Sequence, residues 1–381
     1  MVRHSSVNNK KHRKIGTVVA ITVAIALSIF GIMLASSART VPTSAGAIAP
    51  KAKTAPMPHG SSEILIDART RRVLAGTNID ARLEMASTTK VVTALVVIEN
   101  NDLNRVVTVP KEAVGIEGSS VYLRAGDKYT VRELLYGLML RSGNDCAVAL
   151  AINTAGSVEA FAELTNKKVA SMGLINSHFV NPHGLHAEGH YTSAYDLAML
   201  TAEAYKYEEF EKIVSAKTFR VGTGEHTQIW KNKNKLLWNF DGANGVKTGF
   251  TKKAGRCLVA GANRNGMQLI SVVLNVGPMF ERCAELMRHG FTSYNAVTVA
   301  RKGEACYSAE LTKSTVPYAD LYTKRDIVIP TKSGELVTTD IIFTRKMAGS
   351  IAKDECVGEI RVYIDNRLQF SEKLFTLNAC E

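Results

Sequence analysis

Acidic residues are missing from the first part of this sequence. Residues 1–58 contain eight Lys and Arg residues but no Asp or Glu. Subtracting those eight charges from the net charge of +12 leaves +4 on the rest of the chain, so the basic excess belongs to the N-terminal segment. A body this close to neutral does not indicate a nucleic-acid-binding protein. An apolar content of 46% over 381 residues excludes a chain that is disordered throughout.

Cysteine is scarce, and two common site motifs are missing. The six Cys residues are irregularly spaced, and because six cysteines allow 15 pairings, no particular disulfide is implied. Val246 stands where a phosphate-binding loop needs glycine before its lysine, which excludes nucleotide binding there. No H-E-x-x-H occurs, and glycine and proline interrupt the histidines between residues 178 and 190, which favours a surface or cleft-lining loop over a metal site. We therefore expect neither a metal nor a cofactor.

The basic N-terminal segment precedes a long uncharged stretch. Residues 15–35 are 21 residues dominated by Val, Ile, Ala and Leu, and at ~1.5 Å each they span roughly 30 Å, about one bilayer core. The positive flank, residues 1–14, should stay in the cytoplasm, which places the rest of the chain outside the membrane. A retained anchor and a cleaved signal segment both remain open. Residues 36–58 are rich in Ala, Pro, Thr and Ser, which predicts a tether.

Hydrophobic periodicity predicts one α/β sandwich followed by a small β domain. Strands at both ends of residues 59–298, with helices between them, indicate a sheet that N- and C-terminal strands close together. The predicted strands are 61–67, 73–78, 245–251, 257–262 and 268–276, and the predicted helices are 89–98, 131–140, 146–155, 158–172, 194–204 and 281–289. Residues 299–381 alternate apolar and polar side chains, which predicts an all-β domain. Trp230 and Trp238 are expected on a surface strand or loop.

Ser87 and Lys90 have the spacing of a nucleophile and its base. If Ser87 begins a helix, Lys90 lies on the same helix face, and the helix N-terminus favours negative charge beside the serine. A lysine that acts as a base near neutral pH needs its pKa lowered from ~10.4 to ~7 or 8, which takes roughly 4 kcal/mol of desolvation and like-charge repulsion. A second buried cation would help to supply this.

Each short motif also occurs by chance elsewhere in the chain, so their order carries the argument. S-x-x-K recurs at Ser350, S-x-N at Ser6 and Ser293, and K-[ST]-G at Lys332. Only one set of the three motifs occurs in the order S-x-x-K, S-x-N, K-T-G within one predicted domain, and each motif of that set begins at one position. Those positions are Ser87, Ser142 and Lys247.

With these motifs in this order, the sequence resembles the penicillin-recognising serine hydrolases, and within them the low-molecular-mass D-alanyl-D-alanine carboxypeptidases. The stretches L-R-S-G-N-D at 140–145, N-P-H-G-L at 181–185 and G-V-K-T-G-F-T at 245–251 all look like that family. The resemblance covers about residues 59–297, and the segment after it is similar to the accessory domain of many members. It implies a β-lactamase/transpeptidase-like α/β sandwich with a small C-terminal β domain.

The resemblance also implies catalytic roles. Ser87 would attack the carbonyl of the penultimate D-alanine, and Lys90 would accept its proton. Ser142 would pass a proton to the leaving amine. The backbone N–H groups of Ser87 and Phe250 would form the oxyanion hole.

Four further residues are implied in substrate binding. Asn144 would orient substrate amides. Lys247 would add positive charge to the cleft and thereby favour the neutral form of Lys90. Thr248 would bind the substrate carboxylate, and Gly249 would let the peptide approach the strand closely.

The implied substrate is a peptidoglycan stem peptide that ends in D-Ala-D-Ala. No E-x-x-x-N, the pattern that carries the deacylating Glu of class A β-lactamases, occurs between residues 145 and 246, so we expect β-lactams to inhibit the enzyme. The alternatives are a class A-like β-lactamase, a D,D-endopeptidase, a metal-dependent wall hydrolase and a non-catalytic, membrane-tethered module that binds the cell wall. The expected location is outside the cytoplasm, either attached to the membrane or secreted into the wall.

Overall fold

The computed structural model describes residues 60–222 and 227–381. The predicted basic segment, membrane segment and tether lie outside these residues. The helices are α1 (Lys90–Asn100), α2 (Val131–Tyr136), α3 (Asn144–Ala155), α4 (Val158–Ser171), α5 (Ala194–Ala204), α6 (Glu208–Ser215), α7 (Leu236–Asn239) and α8 (Met279–Ser293). In the part of the chain so described, no single helix is long and apolar enough to cross a bilayer, although α3 and α4 together, bent by 80°, reach that length and composition.

The strands form a central sheet and a separate C-terminal group. Strands β1 to β9 are Ser62–Asp67, Val73–Thr77, Val106–Thr108, Lys128–Thr130, Thr218–Val221, Gln228–Lys231, Ala243–Thr251, Gly255–Arg264 and Met267–Leu274. Strands β10 to β16 are Asn295–Ala300, Ala305–Glu310, Tyr318–Tyr322, Ile327–Thr331, Val337–Phe343, Cys356–Ile364 and Arg367–Thr376. The pairs β3–β4 and β5–β6 are short antiparallel ribbons outside the central sheet.

The central sheet is antiparallel, with strand order β2-β1-β9-β8-β7. The N-terminal strands therefore close the sheet against strands more than 170 residues later, as the sequence predicts. Both residues of the tight turn between β8 and β9, Asn265 and Gly266, have positive φ values of 52° and 81°. This is the backbone that an Asn-Gly hairpin turn requires, and it confirms the predicted turn.

Helices cover both faces of this sheet. Because side chains alternate along a strand, Ile64 and Ile66 of β1 join the core that contains α1 and α5, whereas Leu65 points to the side of α8. Helix α1 carries the run Val91 to Val97, which is buried, and it packs against α3 and α5. An apolar helix inside the domain results, and its N-terminus is held at the edge of the sheet beside β7.

The C-terminal residues are all β, as predicted. Strands β11 to β16, apart from β13, form a five-stranded sheet of order β11-β12-β16-β15-β14, and β10 pairs with β13. Asp365 and Asn366 turn the last hairpin with positive φ values of 48° and 62°. The predicted fold class, an α/β sandwich with a small β domain, is confirmed. The predicted division between residues 298 and 299 falls inside β10.

An arginine from the first hairpin bonds to the β region. Arg72 forms an ion pair with Glu335 and donates to the carbonyl of Pro330 at 2.9 Å. Both side chains of the pair are less than one-fifth exposed, so water screens this contact less than it screens a typical surface pair.

The expectation for Trp230 is wrong. Its side chain on β6 is only 4% exposed and lies beside Phe219, with ring centroids 6.3 Å apart. It also packs onto Gly137, where a Cβ atom would stand 3.1 Å from the indole ring. Trp238 is 41% exposed, as expected for a surface position.

The last residue of β1, Asp67, is a buried carboxylate whose ionisation should be visible in the stability of the fold. Asp67 Oδ1 accepts hydrogen bonds from the backbone N–H and the hydroxyl of Thr70 at 2.8 and 2.7 Å, whereas Oδ2 is buried with no partner among the described residues. Desolvation raises the pKa of Asp67 from 3.8 to about 6. Because the folded state holds this proton more tightly, the stabilising contribution is full below about pH 4 and is lost as pH rises through about 6.

We therefore predict that Asp67→Asn removes a pH-dependent part of the free energy of unfolding. Relative to the variant, the parent should lose about 2 kcal/mol between about pH 4 and pH 7, since one pKa unit corresponds to about 1.4 kcal/mol and the unfolded carboxyl is already partly ionised at pH 4. Urea unfolding of both proteins across this range measures the difference. Parallel pH dependences would show that the carboxyl titrates normally.

Candidate active site

Ser87 lies in a tight turn that leads directly into α1. The 3₁₀ turn Ala86–Thr89 precedes the helix, and Ala86 has a positive φ of 48°, an uncommon conformation for a residue with a side chain. Lys90 begins α1, and its Nζ lies 3.1 Å from Ser87 Oγ. The predicted nucleophile and base are therefore within hydrogen-bond distance.

Lys90 has no contact with water. Its side chain is 0% exposed, and burial, the largest cause, lowers its pKa well below the usual value, followed by repulsion from Lys247. Its Nζ also lies 2.7 Å from Asn144 Oδ1 and 2.6 Å from the carbonyl oxygen of His183. Both of these atoms can only accept hydrogen bonds. A neutral amine has two N–H groups for them, and its lone pair remains for the hydroxyl of Ser87.

Asn144 holds the amine of Lys90 in place. Its Nδ2 donates to the carbonyl of Glu117 at 2.5 Å, which fixes the amide orientation and leaves Oδ1 toward Lys90. The sequence-based expectation assigns Asn144 to substrate amides, but in the structure its carboxamide contacts Lys90 and the backbone of Glu117. The same helix start holds Asp145, whose carboxylate accepts hydrogen bonds from the backbone N–H groups of Val121 and Leu123.

Lys247 lies on β7, at the edge of the sheet nearest the serine. Its side chain is 1% exposed, and its Nζ donates to the carbonyl of Thr248 at 2.9 Å. Burial, and then the charge of Lys233, lowers its pKa to about 7. The strand runs against the nucleophile turn, because a Cβ atom on Gly249 would stand 3.1 Å from the backbone nitrogen of Ser87. A side chain at this position would push the strand and the turn apart by a few tenths of an ångström, so glycine favours this approach.

Ser142 is held by an unusual helix end. Helix α2 continues into a π-helical turn, Gly137–Arg141, and the chain then reverses at Ser142 in the left-handed conformation, with φ 65°. Gly143 donates from its backbone to the carbonyl of Gly137 at 3.1 Å, which closes the turn. Ser142 thereby faces the same cleft as Ser87.

A cleft of about 360 Å³ contains most of the predicted site residues. Ser87, Ser142, Thr248, Gly249 and Phe250 line it, whereas Lys90, Asn144 and Lys247 are buried behind its wall. Sequence reasoning missed five other lining residues, namely Ser119, Lys233, Lys235, Met279 and Phe280. Among the described residues, the charged side chains that line the cleft are Lys233 and Lys235, so the cleft favours an anionic ligand.

The two cleft-lining lysines come from an alternating segment, Lys231 to Lys235. The intervening Asn232 and Asn234 are buried, and their side chains bond to the backbone of Val214 and of Gly245. Lys233 reaches across the cleft to Ser119 Oγ at 3.1 Å. The alternation of Lys and Asn over these five residues is the sequence pattern that could have predicted a strand-like segment with its lysines facing the cleft.

The histidine loop supports the site and shows no metal-ligand geometry. Within residues 60–222 and 227–381, no group of three or more His, Cys, Asp or Glu residues is placed to hold a metal ion. His183 contributes its carbonyl to Lys90, and burial, then the charge of Lys90, lowers the pKa of its own ring to about 4. His186 contacts Glu84 at 2.8 Å and Lys253 at 2.6 Å.

The fold and the serine–lysine pair define a serine hydrolase that can act through an acyl-enzyme. A family profile described as D-alanyl-D-alanine carboxypeptidase matches residues 49–277. A second, described as penicillin-binding protein 5, C-terminal domain, matches residues 294–381. The chain therefore belongs to the D-alanyl-D-alanine carboxypeptidase family of serine peptidases, as its sequence predicts.

Individual relatives agree with this assignment. The chain is 34% identical to D-alanyl-D-alanine carboxypeptidase DacF of Bacillus subtilis, over 74% of this chain and 75% of the relative. It is 32% identical to DacA of Escherichia coli K12, over 82% and 81% of the two chains. Penicillin binding protein 5 from Haemophilus influenzae has a similar structure, with a TM-score of 0.64 and 29% identity, covering 88% of this chain and 99% of that one. The predicted activity, serine D-Ala-D-Ala carboxypeptidase, is thereby favoured over the alternatives.

The repulsion between the two buried lysines gives a testable pH dependence. Removing the cation in Lys247→Gln should raise the pKa of Lys90, because the repulsion that disfavours its protonated form disappears. The acid limb of kcat/KM for release of D-alanine should move to higher pH. Lys235→Gln is the control, since it removes a cleft-lining lysine that is not among the charges acting on Lys90, and it should leave the limb in place. An unmoved limb in Lys247→Gln would contradict the prediction.

Proposed function

We propose that this enzyme removes the terminal D-alanine from peptidoglycan stem pentapeptides through an acyl-enzyme on Ser87. The observation that carries the proposal is the environment of Lys90 Nζ. Two carbonyl-type acceptors, on Asn144 and His183, lie at 2.7 and 2.6 Å, and Ser87 Oγ lies at 3.1 Å. A neutral amine satisfies all three contacts with its two protons and one lone pair.

In the first step Ser87 Oγ attacks the carbonyl carbon of the penultimate D-alanine. Lys90 Nζ takes the hydroxyl proton, and the negative oxygen forms beside the backbone N–H groups of Ser87 and Phe250. Collapse of this intermediate breaks the C–N bond. The leaving amine of D-alanine takes a proton from the ammonium of Lys90 through the hydroxyl of Ser142. Water then hydrolyses the ester, which frees Ser87.

In the proposed complex, the negative terminal carboxylate of the peptide binds in this positively charged cleft. The hydroxyl of Thr248 is the proposed hydrogen-bond donor, and the positive charge of Lys247 and Lys233 lies nearby. The peptide runs along β7, where Gly249 has no side chain to block it. Because Asn144 already bonds to Lys90, its role in our proposal is first to hold the base and only then to contact substrate.

The chemistry of deacylation separates this enzyme from a β-lactamase. Attack of water on a penicillin ester needs a dedicated base, and the sequence between residues 145 and 246 has no E-x-x-x-N to carry one. The penicilloyl ester on Ser87 should therefore persist. We propose β-lactams as inhibitors on this ground.

The domain organisation that we propose extends beyond the described residues. Residues 1–14 would be cytoplasmic, 15–35 a membrane anchor or signal segment, and 36–58 a tether to the catalytic domain at 59–298. Residues 299–381 would be an accessory β domain. This arrangement puts the active site outside the cytoplasm, where its substrate is.

The central test is the loss of the nucleophile. Ser87→Ala should reduce D-alanine release from a D-Ala-D-Ala pentapeptide by at least about a thousandfold, since the covalent route disappears. It should also abolish the mass increase that benzylpenicillin produces in the parent. Ser350→Ala is the matched control, because Ser350 begins the other S-x-x-K segment, is exposed and should not be needed.

Two outcomes would contradict the proposal. Retained D-alanine release by Ser87→Ala would exclude the acyl-enzyme. Rapid turnover of benzylpenicillin by the parent, without a stable adduct, would indicate a β-lactamase instead.

A further inference from the structure

A buried chain of hydrogen bonds connects the histidine loop to the nucleophile turn. The backbone N–H of Val180 lies 3.0 Å from His190 Nδ1, and His190 Nε2 lies 2.9 Å from Thr89 Oγ1. Thr89 Oγ1 in turn lies 2.9 Å from the carbonyl oxygen of Ala86. His190, Thr89 and Ala86 are all less than 5% exposed, so water does not compete for these bonds.

The chemistry of the atoms fixes the direction of every bond in the chain. A backbone N–H can only donate, so Nδ1 of His190 is an acceptor without a proton. Burial, the largest cause, lowers the pKa of His190 to about 3, so the neutral ring carries its single proton on Nε2 and donates it to Thr89. The hydroxyl of Thr89 then donates its own proton to the carbonyl of Ala86, which can only accept.

The carbonyl of Ala86 belongs to the same peptide group as the backbone N–H of Ser87. A hydrogen bond to the oxygen of a peptide group draws electrons from its nitrogen and makes the N–H a stronger donor, and a chain of such bonds reinforces the effect. Gly184 packs directly on this carbonyl, since a Cβ atom there would stand 1.9 Å from the oxygen. The carbonyl of Ala86 is thereby shielded from water, and the hydroxyl of Thr89 approaches it inside the protein.

We propose that His190 is a positioning residue for acylation, which strengthens the oxyanion hole by polarising the Ala86–Ser87 peptide through Thr89. The inference rests on the proposed function, in which the N–H of Ser87 stabilises the negative oxygen. His190 itself does not contact substrate. It fixes the conformation of Ala86 and sets the donor strength of the amide that follows.

The test removes each side chain of this hydrogen-bond chain in turn. It measures the rate of acylation and the stretching frequency of the ester carbonyl that lies in the oxyanion hole. His190→Leu and Thr89→Val replace the polar links by apolar side chains of similar size, and the double variant removes both. Each should slow acylation by benzylpenicillin by about fivefold, since one link polarises an N–H by a fraction of its strength and a complete oxyanion donor contributes about 100- to 1,000-fold. The double variant should lose no more than Thr89→Val alone, because His190 reaches the carbonyl only through Thr89.

Infrared difference spectra of the penicilloyl enzyme distinguish a weaker oxyanion hole from a general loss of structure. Strong donors lower the stretching frequency of the ester carbonyl, so both single variants should shift this band to higher frequency. His190→Gln keeps a donor and an acceptor and should restore both the rate and the band. His186→Leu alters a histidine of the same loop that is not part of this hydrogen-bond chain, and its acylation rate and ester band should match those of the parent.

Three results would overturn the inference. These are an unshifted ester band in His190→Leu, additive losses in the double variant, and no recovery in His190→Gln while thermal unfolding remains unchanged. Mass spectrometry of the same samples separates this failure from that of the proposed function. If Ser87 is acylated in every variant with an unchanged rate and an unchanged ester band, only the inference about the hydrogen-bond chain is wrong. Acylation at another residue would reject both this inference and the proposed function.

Discussion

The site depends on keeping one amine uncharged. Lys90 lies at the start of a largely buried helix, and its pKa is lowered well below the usual lysine value. Burial is the largest cause, and the charge of Lys247 comes next. The carbonyl oxygens around Nζ would also stabilise an ammonium ion. Water exclusion and the second lysine must outweigh them, which explains why the base is placed behind the cleft wall and not within it.

The central sheet supplies this arrangement. Strand β7 is at the edge, so its outer side is available to the nucleophile turn and to a peptide that lies along it. The N-terminal strands occupy the opposite side of the sheet and leave that edge open. The glycine at 249 allows the strand to approach the turn, and the glycine at 184 allows the histidine loop to approach it from the other side. The serine is thus fixed between two close backbone contacts.

Periodic segments were predictable, and contacts made by buried polar groups were not. The long helices and the strands of the central sheet follow from apolar spacing, and the Asn265-Gly266 turn follows from backbone preference. Helix α6 was missed because it is short and acidic, and β3 to β6 are too short to show a period. The pairing of Ser87 with Lys90 follows from helix geometry. The contacts of Asn144 and His190 depend on loops distant in sequence, which no local pattern reports.

The alternating Lys and Asn residues at 231–235 have a consequence for recognition. The side-chain amides of Asn232 and Asn234 hold the backbone of this segment through buried hydrogen bonds, and Lys233 donates a hydrogen bond to Ser119. The backbone positions that carry these lysines are therefore fixed before any ligand arrives. Little backbone freedom is left in this segment for the protein to give up on association, so the entropic cost there falls on the exposed lysine side chains and on the flexible peptide.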